Sequence, residues 1–78
     1  MNIGELKPGE RAVITQMGCT GRMKRRLLDM GVTPGVEVEM LRAAPFGDPI
    51  CYLILGYRLS IRKKDASKIQ AERFGSND

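Results

Sequence analysis

The stretch Ile50-Cys51-Tyr52-Leu53-Ile54-Leu55-Gly56-Tyr57-Arg58-Leu59-Ser60-Ile61-Arg62 decides how this chain folds. From Ile50 to Leu55 the run is nearly continuous in apolar residues, which predicts a strand covered on both faces. Gly56 permits a tight turn, and beyond it Tyr57, Leu59 and Ile61 alternate with Arg58, Ser60 and Arg62. A period of two marks a half-buried strand. Two such segments joined by so short a turn form an antiparallel hairpin, which places the chain in a mainly β class.

Reading outward, the loop Pro45-Phe46-Gly47-Asp48-Pro49 precedes the hairpin, and its two prolines keep it out of any ladder. Before it, Val36 to Ala43 alternates, with Val36, Val38 and Met40 inward and Glu37 and Glu39 outward. Glu10 to Met17 is a further strand, Ala12 and Ile14 facing opposite to Arg11 and Thr15, introduced by the Leu6-Lys7-Pro8-Gly9 turn. After the hairpin, Lys63 to Ser67 reads as a single turn begun by Asp65, and Ile69 to Glu72 as the last strand. One helix is predicted over residues 21–30. Met23, Leu27 and Met30 recur at i, i+4 and i+7, Thr20 is placed to cap its start, and Gly31 to end it. Five short strands with one inserted helix would leave bare edges as an open sheet, so closure into a small barrel is the expected architecture.

Length and composition set bounds on function. Seventy-eight residues make one domain, and an apolar share of 42% with a charged share of 28% excludes a wholly disordered chain. The domain is expected over residues 1–74, with 75–78 as a disordered tail. No run approaches the ~20 apolar residues of a membrane span, and the first residues lack the basic and apolar regions of a signal peptide. A cytoplasmic protein without membrane insertion is therefore expected. Cys19 and Cys51 form neither a CxxC pair nor a zinc spacing. Cys51 reads as a small core residue and Cys19 as an exposed loop thiol. The net charge of +4 falls short of the dense basic stripe of a nucleic-acid binder.

The chain contains no histidine, so Ser-His and Cys-His pairs are excluded. Its carboxylates are scattered, no phosphate-binding GxxxxGK[ST] loop occurs, and Asp48 between prolines reads as a turn former. No catalytic residue, cofactor or metal ligand is predicted. Binding chemistry is more visible. Arg22, Arg25 and Arg26 fall together on the helix face away from the Met23–Leu27–Met30 stripe, with Asp29 among them. This is either a solvated face or a docking surface for acidic protein or phosphate, to which planar guanidinium groups are suited. Leu28 lies beside it; a covering loop is the commoner fate of such a residue, exposure to a partner the other. Gly18 and Gly21 at the helix start could hold an anion, but such pairs usually only satisfy a turn.

Taken together, four segments resemble the FeoA (ferrous iron transport protein A) family over about residues 3 to 72. They are Leu6-x-Pro8-Gly9-Glu10; Arg26-Leu27-Leu28-Asp29-Met30-Gly31-Val32-Thr33-Pro34-Gly35; Ala44-Pro45-Phe46-Gly47-Asp48-Pro49-Ile50; and Leu59-Ser60-Ile61-Arg62-Lys63-Lys64-Asp65-Ala66. The resemblance implies an SH3-like β-barrel and a cytosolic accessory protein of bacterial ferrous iron uptake. It implies as partner the FeoB-type membrane transporter, whose cytosolic part is a G-protein domain. Arg22, Arg25, Arg26 and Leu28 are the residues expected to meet that partner. No nucleic acid is expected, and an exposed strand edge leaves room for weak self-association. The alternative is an SH3-like regulatory domain linked to metal-dependent transcription control. Against it stand the lack of a helix-turn-helix and the few, scattered aromatics. Direct iron sensing through Cys19, Asp48 or the glutamates is a third possibility.

Overall fold

The computed structural model describes residues 1–73, so the expected disorder of 75–78 lies outside the described residues. A 3-10 turn at Ile3–Glu5 opens the chain. The strands are β1 Arg11–Met17, β2 Glu37–Ala43, β3 Ile50–Ile54, β4 Tyr57–Ile61 and β5 Ile69–Arg73. The helices are α1 Gly21–Asp29 and α2 Lys63–Ala66. Every predicted strand is present, while the 3-10 turn has no counterpart in the sequence reading. The strands form one antiparallel sheet in the order β4-β3-β2-β1-β5. Closure was expected, but the hydrogen-bonded ladder stays open between β4 and β5. Leu59 and Ile61 of β4 and Ile69 and Ala71 of β5 nevertheless belong to one buried cluster, so the sheet wraps its core without completing the ring. The outer edge of β5 is sealed by the chain's own start. Met1 and Ala71 exchange backbone bonds of 2.7 and 3.3 Å, and Asn2 bridges to Gln70.

The apolar run that predicted a doubly covered strand is covered on one face only. Ile50, Tyr52 and Ile54 are buried, whereas Cys51 and Leu53 face outward and are half-buried. An antiparallel sheet turns one face to the core and the other to solvent, so alternation wins over hydrophobicity here. The two cysteines exchange their expected places. Cys19 is fully buried, and burial pushes its thiol up from the ordinary range. The cause is a long-range bond: the Gly18 N–H donates to the Lys68 carbonyl at 2.8 Å, which folds the segment after β1 against the approach to β5 and tucks Cys19 inward. Gly18 is required there, because an added Cβ would collide with that same carbonyl oxygen.

Tyr52 is fully buried, and its hydroxyl donates to the Ile3 carbonyl at 2.9 Å, pinning the 3-10 turn to the sheet. The α2 turn is started from a distance. Lys63 N–H donates to Asp48 Oδ1 at 2.9 Å, so the capping carboxylate is Asp48 of the proline-flanked loop and not Asp65.

Candidate functional site

The end of α1 follows from local chemistry, its start less so. Its C-terminus is a Schellman motif: Val32 N–H bonds to the Leu27 carbonyl at 2.9 Å and Gly31 N–H to that of Leu28 at 3.0 Å. Gly31 takes the left-handed φ of 90° that this motif needs. Val32 and Leu27 are both buried, which anchors the exit of the helix in the core. Thr20 occupies the N-cap position, but its side chain makes no capping bond. Gly21 adopts a left-handed φ of 67° where a capped helix needs helical backbone, so the hydroxyl is not aimed at the first turn.

The predicted stripe faces inward, with Leu27 buried and Met23 and Met30 packed against the core. Arg22, Arg25 and Arg26 are exposed on the opposite side, as is Asp29. Among the described residues the ion pairs are Arg11–Glu37 and Arg73–Glu10, so Asp29 neutralises none of the three guanidinium groups by direct pairing. Leu28 is 44% exposed. Among the described residues no loop covers it, since after Gly31 the chain leads inward to buried Val32. With Gly21, Lys24, Arg25 and Asp29, Leu28 lines a shallow depression of about 320 Å³. Arg22 and Arg26 lie outside this depression, on the adjoining strip of the helix.

Three exposed apolar residues escaped the sequence reading. Leu55 is 50% exposed and sits at φ 53° in the two-residue β3–β4 turn. Turn chemistry there favours Asn, Asp or Gly, and this mismatch was the available signal. Its Cδ1 lies 3.6 Å from where a Cβ on Gly31 would stand, bringing the hairpin tip to the end of α1. Tyr57 follows it, more than half exposed, although alternation had turned it inward. Phe46 is 99% exposed at the tip of the β2–β3 loop, signalled only by an aromatic set between Pro and Gly.

Among the described residues no group of three or more His, Cys, Asp or Glu side chains converges on a point that could hold a metal ion. Asp48 is engaged with Lys63, and Glu10 accepts the Lys7 N–H at 2.7 Å beside Arg73. The Lys7 bond, and then the Arg73 charge, hold the Glu10 carboxyl below its ordinary range. No described helix is long and apolar enough to cross a membrane.

Fold and site define a small, mainly β module that presents a basic helix face with a leucine at its margin. A family model for the FeoA domain matches residues 1–73, and the chain belongs to the FeoA family. It is 38% identical over 77 residues to an Fe(2+) transport protein A/Fe(2+) transporter FeoB fusion protein of Porphyromonas gingivalis. That match takes in 99% of this chain and 9% of the fusion protein. The solution structure of a FeoA protein from Chlorobium tepidum superposes with a TM-score of 0.92 at 35% identity, covering 100% of this chain and 74% of that one. A zinc-complexed FeoA from Stenotrophomonas maltophilia, described as an SH3-domain protein, superposes with a TM-score of 0.79 at 25% identity, covering 92% and 89%. The fold is accordingly SH3-like, and the family is associated with ferrous iron transport.

Proposed function

We propose that this chain works by binding and not by catalysis, docking on the cytosolic part of a FeoB-type membrane transporter and regulating or assembling it. The observation that carries this reading is the outer face of α1, where half-exposed Leu28 stands beside cations that have no ion-pair partner among the described residues. An exposed apolar side chain bordered by charge is a common feature of protein-docking surfaces. The fusion relative joins two such components in one polypeptide, and this supports the pairing, although the chain spans only 9% of it. The transcription-linked reading has the fold alone behind it and no DNA-reading element among the described residues, where α1 is followed by β2 and not by a recognition helix.

The test is a titration of the labelled protein against a full FeoB-type transporter in nanodiscs. Leu28→Glu and Arg26→Glu should each weaken binding about tenfold or more while leaving the fold intact. If both variants fold and bind as tightly as the wild type, α1 is not the interface.

A further inference from the structure

At the opposite end of the sheet from the α1–Leu55 contact, the β2–β3 loop carries Phe46. The two ends are separated by the length of β3, roughly 17 Å at ~3.4 Å per residue. The other exposed large hydrophobic residues each bury part of their surface against their own chain, but Phe46 buries almost nothing. The loop beneath it is nonetheless held in place. Gly47 N–H donates to the Ala44 carbonyl at 2.7 Å and Ala44 N–H to that of Pro49 at 2.9 Å. Asp48 is fixed to the start of α2 at 2.9 Å, and prolines flank the turn on both sides. An aromatic ring with no role in the core, on a loop already ordered, has the properties of a binding anchor, because little freedom remains to be lost on association.

The surroundings indicate what the anchor fits. Arg42 at the end of β2 and Arg62, Lys63 and Lys64 at the start of α2 are exposed, and none has an ion-pair partner among the described residues. The nearby Asp48 carboxylate is engaged with the Lys63 backbone. A lone exposed ring on a loop flanked by cations at the end of β2 and the start of α2 complements a protein socket that is apolar at its floor and rimmed by carboxylates. A bilayer-lying segment instead presents an apolar face several side chains wide, which this loop lacks.

We infer that Phe46 is a second anchor for the protein partner, entering an acid-rimmed apolar socket on the cytosolic part of the same transporter. This rests on the proposed docking function and adds a contact at the end of the molecule away from α1. Phe46→Ala removes no packing, so its melting temperature should equal that of the wild type, and it can be compared directly.

The experiment titrates wild type and Phe46→Ala against the transporter in nanodiscs of neutral lipid, with empty anionic-lipid nanodiscs in parallel. A loss of about tenfold or more on the transporter, with no Phe46-dependent binding to empty discs, is the expected result. Equal affinity of the two proteins overturns the inference and leaves the α1 reading standing. Phe46-dependent binding to empty anionic discs overturns it in favour of a membrane contact. Failure of the wild type to bind the transporter overturns both readings together.

Discussion

Replacing Tyr52 by Phe removes one oxygen from the centre of the fold and leaves the ring in place. The hydroxyl bonds to the Ile3 carbonyl at 2.9 Å, and that carbonyl keeps a longer bond of 3.3 Å from the Leu6 N–H. With the acceptor not wholly abandoned, the loss is that of an ordinary hydrogen bond, about 1 kcal/mol. In a domain of this size that lowers the melting temperature by about 4–8 °C. The pH dependence makes the test sharper. Burial raises the Tyr52 phenol above its ordinary value, so the folded state keeps its proton where the unfolded chain releases it. The folded pKa is the higher, and the group's stabilisation is therefore complete below the unfolded value of about 10 and is lost as pH rises beyond it. Wild type loses up to ~1.4 kcal/mol per pH unit in this window from Tyr52, and Tyr52→Phe loses none of it. Urea unfolding followed by circular dichroism should show the two proteins separated by about 1 kcal/mol near neutrality and converging near pH ~11. A gap that stays constant through that range would refute the sequestration of the phenol. No gap near neutrality would refute the role of the bond in holding the 3-10 turn.

Mild alkylation followed by mass spectrometry should modify half-buried Cys51 first and buried Cys19 only at the rate of unfolding; equal labelling would contradict the burial of Cys19. The Glu10 carboxyl should titrate by NMR below an ordinary glutamate, and Arg73→Gln should restore it only in part, because the Lys7 N–H is the larger cause. Its folded pKa is depressed, so the stability it contributes is present above the ordinary carboxylate range and lost as pH falls through the folded value; full restoration by Arg73→Gln would reverse that order of causes. Gly18→Ala should destabilise by about 1–3 kcal/mol in urea, since the obstacle is a backbone carbonyl that cannot swing aside; unchanged stability would show that the segment relaxes freely.

The strands were legible because one face of each is buried, and burial imposes a period of two that turn residues then punctuate. Gly31 was legible for the same kind of reason, as the Schellman motif needs its conformation. What could not be read were placements set by distant partners. Cys19 is buried because Gly18 reaches Lys68, and α2 is started by Asp48, fifteen positions upstream of the N–H it accepts. Cys51 was misread because an apolar run gives no sign of which side of a sheet faces solvent. At the candidate site, helical periodicity placed Arg22, Arg25 and Arg26 outward, as the structure has them. It left the exposure of Leu28 open, because that depends on where the chain goes after Gly31. Phe46 and Leu55 left only faint local signs, an aromatic between Pro and Gly and a leucine in a turn that favours Asn, Asp or Gly, because exposure itself reflects the absence of a neighbour.

The pairing of the first strand with the last has a consequence for how the molecule comes into being. Met17 meets Ile69 and Ala12 meets Arg73, whereas Ile54 and Tyr57 meet across a two-residue turn. The hairpin can form as soon as it is synthesised and β1 can pair with β2 soon after, but the second flank of β1 must wait for Ile69 to Arg73, and contacts of such long separation are slow to close. Until Ile69 to Arg73 has emerged, one flank of β1 lies bare beside Ala12 and Ile14, and such an unpaired strand invites association with other chains. A premature stop shortly before Ile69 would therefore remove the neighbour of the first strand and not a dispensable end.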